Sequence, residues 1–376
     1  MINIMFLMIF FYPVIDLISN FINNTKLGML YNVTFLIFLI FFQVISLKFK
    51  QFLKVFIVDL IIIIVIYVSY VNEMTISFDT VAFLNFILIS SIFVNKNIVN
   101  MFKDFILKNY KTFNFIAWTY IFLIFISCLT KSGYEHYWGI ITLKGPYLYN
   151  HTLAYISLIL YLETWFIYKN IKIKAKKYLF FMVVFASFII LTAVRSVAIA
   201  FLFVLIFQFK SIKLKKKIKL TIILILFFMI LGSFTDILSN NPLVLKNENT
   251  IEGGSLSNGR DVFWKEDIRY FKQETDLKEK LLGVGIQKIK EINYSVVGLK
   301  IHAHNDIINI IIGYGILGLI IFILLLINIS KYRGGLFNFI VLSALLFTNG
   351  LFMYFSFVEC IPILIISFNE KFYKGV

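Results

Sequence analysis

Charged residues are scarce in this sequence. They make up 15% of its 376 residues, whereas 60% of the residues are hydrophobic and the mean hydropathy is +0.89. Because a soluble domain has about 25% charged residues, this composition excludes an ordinary soluble fold. Apolar runs of roughly 20 residues recur along the chain, and they predict an all-α fold, a polytopic helical membrane protein.

Cysteines are few, and the motifs of soluble enzymes are absent. Cys128 and Cys360 both lie in apolar runs, which indicates neither a disulfide framework nor a cysteine metal site. The sequence has no glycine-lysine phosphate loop, no Gly-x-Ser-x-Gly and no His-Glu-x-x-His. No small-residue cleavage site follows the first hydrophobic run, and we interpret that run as a retained helix.

Hydropathy and loop charge together predict about twelve transmembrane helices. The predicted spans are residues 2–19, 29–47, 53–71, 80–94, 113–130, 150–168, 178–193, 197–209, 220–238, 308–329, 336–353 and 357–369. One set of alternate loops and the C-terminal tail hold 22 of the 36 Lys and Arg residues. Short loops with excess positive charge are cytoplasmic, so both termini are predicted to be cytoplasmic.

The spans divide the chain into four predicted regions. One loop between spans is much longer than the others, and the charge rule makes it extracytoplasmic. The regions are the N-terminal transmembrane helices (1–140), the central transmembrane helices (141–238), the large extracytoplasmic loop (239–307) and the C-terminal transmembrane helices (308–376).

The formal net charge of +16 does not predict a nucleic-acid partner. The excess basic residues follow the alternation of the loops, and they suit contacts with anionic headgroups of membrane lipids. In the long loop, ten basic residues are balanced by ten acidic ones. Topology and membrane lipids therefore account for the positive charge.

The stretch 178–209 is too long for one span and short for two. Its middle reads "LTAVRSVAIA", and both flanks carry lysines of the cytoplasmic type. We therefore expect the chain to cross outward and return, with Arg195 at the outer turn. An arginine in a membrane segment favours a functional site, although binding of a lipid phosphate is an alternative.

The long loop contains a candidate amphipathic helix, "RDVFWKEDIRYF", at residues 260–271. Phe263, Trp264, Ile268 and Phe271 share one side at helical spacing, which predicts a helix lying on the membrane surface. The residues suited to cap this helix are Ser257 and Asn258.

Two of the four histidines stand where the loop meets the next span, in "KIHAHNDIINIIIGYGILG". Asn305 or Asp306 is placed to start the helix. His302 and His304 could contribute to a zinc site, but such a site needs three or four ligands. His136 and His151 are far away in the sequence, so no metal is expected.

The predicted outer face thus collects Arg195, Arg260, His302 and His304, with Asn150 and His151 on the same face. Arginine binds diphosphate oxygens through its planar fork, and neutral histidine suits a general base near neutral pH. These groups could bind a lipid-linked diphosphate and activate a hydroxyl. The alternative is that the histidines only form hydrogen bonds within a loop and that the arginines bind lipid headgroups.

Five segments, in consistent order from about residue 140 to 325, resemble the bacterial O-antigen ligase and O-antigen or capsule polymerase superfamily. They are "GPYLYNHTLAYISLIL" (145–160), "LTAVRSVAI" (191–199), "SNGRDVFW" (257–264), "LLGVGIQKI" (281–289) and "HNDIINIIIGYGILG" (304–318). They are similar to the family's Gly-aromatic-Asn-x-x-Leu-Ala, Leu-Thr-x-Ser-Arg, Ser-Gly-Arg-x-x-x-Trp, Gly-x-Gly and His-Asn-x₉-Gly-x₂-Gly elements. Val194 and Ile199 depart from the residues common in ligases.

The resemblance implies a metal-independent glycosyltransferase without a cofactor, at the outer face of the bacterial cytoplasmic (inner) membrane. The donor would be a glycan on undecaprenyl diphosphate, and the acceptor a second glycan or a lipid. Arg195 and Arg260 would bind the diphosphate, His304 would be the base, and His302 would assist it. The resemblance also implies supporting roles for Asn150, Asn305, Gly315 and Gly318, the two glycines by allowing close helix packing.

The resemblance leaves the reaction open between polymerase and ligase. The changes at Val194 and Ile199 favour a polymerase, which would work with a flippase and a chain-length regulator. A polysaccharide flippase or other transporter is the alternative from another class, but the sequence shows no internal repeat. The first 140 residues carry no family motif and are expected to shape specificity.

Overall fold

The computed structural model describes residues 2–22, 25–46, 60, 63, 64, 67, 71, 77–137, 140–171, 176–210, 260–332, 334–348, 350, 358 and 361–369. Several features expected from the sequence lie outside the described residues. They are the predicted span 220–238, most of the span 53–71, the start of the long loop, the capping residues Ser257 and Asn258, and Cys360.

Helices dominate the described residues. In chain order they are α1 (Ile2–Phe21), α2 (Thr25–Ser46), α3 (Phe78–Phe93), α4 (Lys96–Lys108), α5 (Tyr110–Leu129), α6 (Asn150–Asn170), α7 (Lys176–Leu191), α8 (Arg195–Lys210), α9 (Arg260–Gln273), α10 (Leu277–Leu282), α11 (Gln287–Val297), α12 (Asp306–Ser330), α13 (Gly335–Thr348) and α14 (Ile361–Ser367). The α6 helix is buried along most of its length and packs against α7 and α14.

Within the described ranges, a small β-hairpin is the exception to the predicted all-α fold. Strands β1 (Tyr134–Tyr137) and β2 (Ile140–Leu143) pair antiparallel, with Tyr134 opposite Leu143. Aromatic and β-branched residues on both sides of a short connection favour such a hairpin. The hairpin leads directly into the start of α6.

Among the described helices, α1, α2, α5 and α12 are long and apolar enough to cross a membrane. The α3–α4 pair is a fifth candidate if its two helices count as one span. These helices agree with a polytopic helical membrane protein, but they do not confirm a total of about twelve spans. The predicted spans 178–193 and 197–209 do form helices, yet each helix has only 16 residues.

The α4 helix occupies a segment that the sequence analysis treated as a loop. It is bent by 98° from α3, and the Asn95 side chain caps it by accepting a hydrogen bond from the backbone N–H of Asn97 at 3.0 Å. Val99, Phe102 and Ile106 form its buried side. The polar residues that resembled a loop are therefore the outer side of an amphipathic helix.

The α12 helix is kinked within its first half, at Gly315. Gly315 has φ +68° and ψ −172°, which are not helical angles. Here the Gly283–Gly285 segment lies backbone to backbone with α12. The N–H of Val284 donates to the Ile312 carbonyl at 2.9 Å, and the N–H of Gly285 donates to the Gly313 carbonyl at 3.1 Å. The Gly-x-Gly segment thus docks on the kink.

Gly315→Ala is expected to destabilise the protein strongly. A Cβ at residue 315 would lie 2.3 Å from the Leu281 carbonyl oxygen, in addition to the strain of the left-handed conformation. We expect a loss of at least about 3 kcal/mol, as for other severe backbone and packing changes. Thermal unfolding of the purified protein in detergent measures this loss.

Gly298→Ala is the matched control for that prediction. Gly298 has φ +70°, but a Cβ there would meet no atom within 4 Å. The control therefore carries only the conformational strain, about 1 kcal/mol. Equal losses in the two variants would show that the close approach at Gly315 contributes nothing.

Candidate functional site

Arg195 is the first residue of α8 and follows a tight turn. The α7 helix ends at Leu191, and Ala193 in the turn has φ +52°. The side chain of Arg195 is half-buried. This geometry confirms that the stretch 178–209 forms two helices with Arg195 at the turn between them.

Asn150 links the hairpin, α6 and this turn. Its buried side chain donates a hydrogen bond to the Thr192 carbonyl at 2.8 Å and another to the Thr142 hydroxyl at 3.4 Å. Thr142 belongs to β2, and Thr192 lies three residues before Arg195. The Asn150 amide thus ties the turn before Arg195 to the hairpin, and the supporting role of Asn150 stays a prediction.

Arg260 begins α9, and Trp264 one turn later fixes this helix to the histidine segment. The indole N–H of Trp264 donates to the carbonyl of Ala303, the residue before His304. The helix that carries Arg260 is thereby anchored at the backbone of the candidate base. Trp264 was expected on the apolar side of the helix and as the tryptophan of a family element, but its hydrogen bond to Ala303 was not predicted.

The apolar side of α9 packs on protein, in contrast to the predicted position on the membrane surface. Phe263 is buried, and Trp264 and Phe271 are partly buried against the cluster formed by Ile286, Ile289, Ala303, Ile308 and Ile312. Ile268 is the exception, at 43% exposed. Periodicity identifies an apolar face, but it cannot distinguish a lipid from a protein partner.

His304 is held in an unusual backbone conformation, with φ +51°. Asn305 after it caps α12, because its side-chain oxygen accepts from the N–H groups of Ile307 at 3.0 Å and Ile308 at 3.4 Å. This cap confirms one of the two predicted helix starts. On the other side of His304, the N–H of Ala303 donates to the side-chain oxygen of Asn309 at 3.2 Å. The flanking bonds hold a conformation that costs about 1–3 kcal/mol, and such conformations cluster at functional sites.

His302 has different surroundings from His304. Its Nε2 lies 3.3 Å from the Oδ2 of Asp79, and its side chain is only 9% exposed. The Nζ of Lys290 lies 3.6 Å from the same carboxylate oxygen. His304 is half-buried instead. The region that contains Asp79 carries no family motif, and this contact was not predicted from the sequence.

The beginning of α3 is docked on α12 next to this contact. The Tyr314 hydroxyl donates to the Thr80 hydroxyl at 3.1 Å, and the Tyr314 and Phe83 rings stack with centroids 4.4 Å apart. The Ser77 side chain caps α3 by accepting from the Thr80 N–H at 3.3 Å. Asp79 is therefore presented by a helix start whose position on α12 is fixed.

Gly315 and Gly318 of α12, the two glycines singled out by the sequence, have different surroundings. Gly315 lets the backbone of Leu281 and Gly283 approach α12 closely. At Gly318, an added Cβ would instead meet the Cβ of Tyr314 in the same helix at 2.6 Å. Gly315 thus permits the approach of another segment, whereas Gly318 makes room for the Tyr314 side chain.

Asp267 is a buried carboxylate that the sequence analysis did not single out. It lies on α9, and among the described residues its two oxygens have no hydrogen-bond partner. Burial, and next the charge of Glu266, raise the pKa of Asp267 to about 7. The folded state therefore binds this proton more tightly than the unfolded state, so the contribution of Asp267 to stability falls as the pH rises from about 4 to 7.

Among the described residues, Arg260 and His304 are linked by a hydrogen bond between their segments, whereas Arg195 is related to them through helix packing. Arg260 and His304 are joined through Trp264 and Ala303. Arg195 lies on α8, which packs along α13, and α13 in turn packs against α12. Within the described ranges, no three His, Cys, Asp or Glu side chains are placed to hold a metal ion.

Comparison with known proteins places most of these residues in one family domain. Residues 180–323 match the model of the family described as O-Antigen ligase, and no curated protein matches the chain. The matched segment contains Arg195, Arg260, both candidate histidines, Asn305, Gly315 and Gly318, but neither Asn150 nor Asp79. The resemblance to the O-antigen ligase and polymerase superfamily is confirmed, and residues 180–323 of this membrane protein carry the family domain.

Proposed function

We propose that this protein is a membrane glycosyltransferase that polymerises lipid-linked oligosaccharide repeat units at the outer face of the bacterial cytoplasmic membrane. The observation that carries the proposal is the family domain, in which Trp264 ties the helix of Arg260 to the backbone next to His304. The donor is a glycan on undecaprenyl diphosphate, and the acceptor is a hydroxyl of a second lipid-linked glycan.

The proposed reaction is a direct displacement at the anomeric carbon of the donor. His304 accepts the proton of the acceptor hydroxyl, and the hydroxyl oxygen forms the new glycosidic bond. The bond between the anomeric carbon and the diphosphate breaks, and its electron pair leaves with undecaprenyl diphosphate. Arg195 and Arg260 stabilise the charge of the leaving diphosphate through charge-assisted hydrogen bonds. A direct displacement inverts the anomeric centre, and neither a metal nor a cofactor takes part.

The proposed topology has both termini in the cytoplasm and the segment 239–307 outside. The contact between Asp79 and His302 supports it, because the charge rule assigns both residues to the outer side. In the cell, a flippase would supply the lipid-linked repeats and a chain-length regulator would set polymer length.

A ligase is the second candidate, because the matching family is described as O-Antigen ligase. It would carry out the same displacement, but with a lipid A core, a protein or another terminal acceptor. Val194 is buried beside Arg195, and Ile199 is 46% exposed. These two departures from the ligase pattern are the reason for preferring the polymerase.

Deletion of the gene in its host distinguishes the two reactions. We expect single repeats to accumulate on the lipid carrier without a polymer ladder on a gel, because a polymerase forms the bond between repeats. A normal ladder that stays on the carrier and is missing from its final acceptor would identify a ligase. Unchanged glycan and unchanged precursor would contradict both reactions, and transport would be tested next.

A further inference from the structure

We propose that Asp79 is a positioning residue of the transferase site, acting through His302; this inference rests on the proposed function. Asp79 lies on α3, more than a hundred residues before the family domain begins. Its carboxylate fixes the His302 ring and, through that ring, the backbone that carries His304. The N-terminal region thereby contributes directly to the geometry of the site.

The contact between the Asp79 carboxylate and the His302 ring is largely shielded from water. The Asp79 and His302 side chains are only 13% and 9% exposed, so little water competes for their interaction. A carboxylate only accepts hydrogen bonds, so the His302 Nε2 facing it carries the proton. The ring is therefore held in one tautomer and one orientation, and its Nε2 is occupied by Asp79.

The start of α3, which carries Asp79, is held firmly on α12. The Thr80–Tyr314 hydrogen bond and the Phe83–Tyr314 stacking place the start of α3 on α12 independently of the carboxylate. Lys290 of α11 reaches the same carboxylate oxygen. Three parts of the fold, namely α3, α11 and the segment before α12, therefore meet at this one side chain.

Only one residue, Ala303, separates His302 from His304. Ala303 between them is bonded on both sides, by the Trp264 indole at its carbonyl and by the Asn309 side chain at its N–H. A displacement of the His302 ring would be transmitted through this one residue. The strained backbone of His304 depends on such fixed neighbours.

The test is Asp79→Asn in a reconstituted transfer assay with the lipid-linked donor. Asparagine preserves the shape, but its amide can present either oxygen or NH₂ to the ring, so the tautomer of His302 is no longer fixed. We expect kcat to fall about 10- to 100-fold, by analogy with the loss of a carboxylate that orients a histidine in a metal site. The KM for donor and acceptor should stay within about twofold, because the proposal assigns Asp79 no contact with either substrate.

Lys290→Gln is the matched control. It removes the other partner of Asp79 and leaves the contact with His302 intact, so kcat should stay within about twofold of the wild type. A loss as large as that of Asp79→Asn would overturn the proposal, because Asp79 would then act only as an ion-pair partner of α11. A kcat of folded Asp79→Asn within twofold of the wild type would also overturn it.

A double variant tests whether Asp79 acts through His302. The variant Asp79→Asn with His302→Gln should lose no more activity than the worse single variant, since both changes remove one interaction. Losses that multiply would overturn the proposal. If Asp79→Asn does not fold, His302→Gln alone decides, and a kcat near that of the wild type would overturn it. Absence of transfer by the wild type would instead refute the proposed function.

Discussion

Replacing His304 by alanine is expected to abolish formation of glycosidic bonds. Without a base, the acceptor hydroxyl must attack while still protonated, and general base catalysis contributes about 10²- to 10⁴-fold. Purified wild type and His304→Ala are compared for kcat with a lipid-linked donor, and the glycan of cells carrying each variant is examined on a gel. Normal polymer from His304→Ala would contradict the assignment of the base.

Two further variants separate chemistry from folding. His304 has a positive φ, and asparagine tolerates this conformation better than alanine does. His304→Asn should therefore fold well and remain inactive. His136 is exposed on the β1 strand, and His136→Ala is the matched histidine control that should retain full activity. An active His304→Asn would show that no base is needed at this position.

Replacing Arg195 or Arg260 by alanine is expected to lower kcat about 10²- to 10³-fold, the usual effect of removing one donor that stabilises charge in the transition state. Lysine keeps the charge but not the planar fork, so Arg195→Lys and Arg260→Lys should recover only part of the activity. Steady-state transfer with the lipid-linked donor measures both effects. Full activity in either lysine variant would argue against bidentate recognition of the diphosphate.

Arg269 provides the matched control on the same helix as Arg260. It is an exposed arginine paired with Glu266 and with Glu274, the latter at 2.8 Å. Because exposed ion pairs contribute about 0–1 kcal/mol, Arg269→Ala should leave both stability and transfer nearly unchanged. A loss equal to that of Arg260→Ala would mean that the total positive charge of α9 determines transfer activity. The specific role of Arg260 in binding the diphosphate would then be wrong.

Some local features of the fold were predictable from the sequence. The charge-poor composition indicated a membrane protein, and the lysine-flanked stretch around Arg195 indicated two helices and a turn. Asn305 was one of two predicted helix starts. Each of these features depends on hydropathy or capping within a few neighbouring residues, which a single sequence displays directly.

Other local features were missed for identifiable reasons. The α4 helix has polar residues on one side and was taken for a loop, although Val99, Phe102 and Ile106 have helical spacing. The β1–β2 hairpin is too short to stand out from a polar connection. The kink of α12 at Gly315 is not visible in its continuous apolar run, because hydropathy carries no information on backbone angles.

The sequence by itself determined the membrane class, the order of the family segments and the types of side chain available for chemistry. Only the tertiary structure decided that α9 covers protein with most of its apolar side, that Gly283 meets the backbone of α12, and that Asp79 holds His302. The physical reason is the distance along the chain. Periodicity shows which side of a helix is apolar or charged, but the partner of that side is chosen by packing between segments that lie far apart in the sequence.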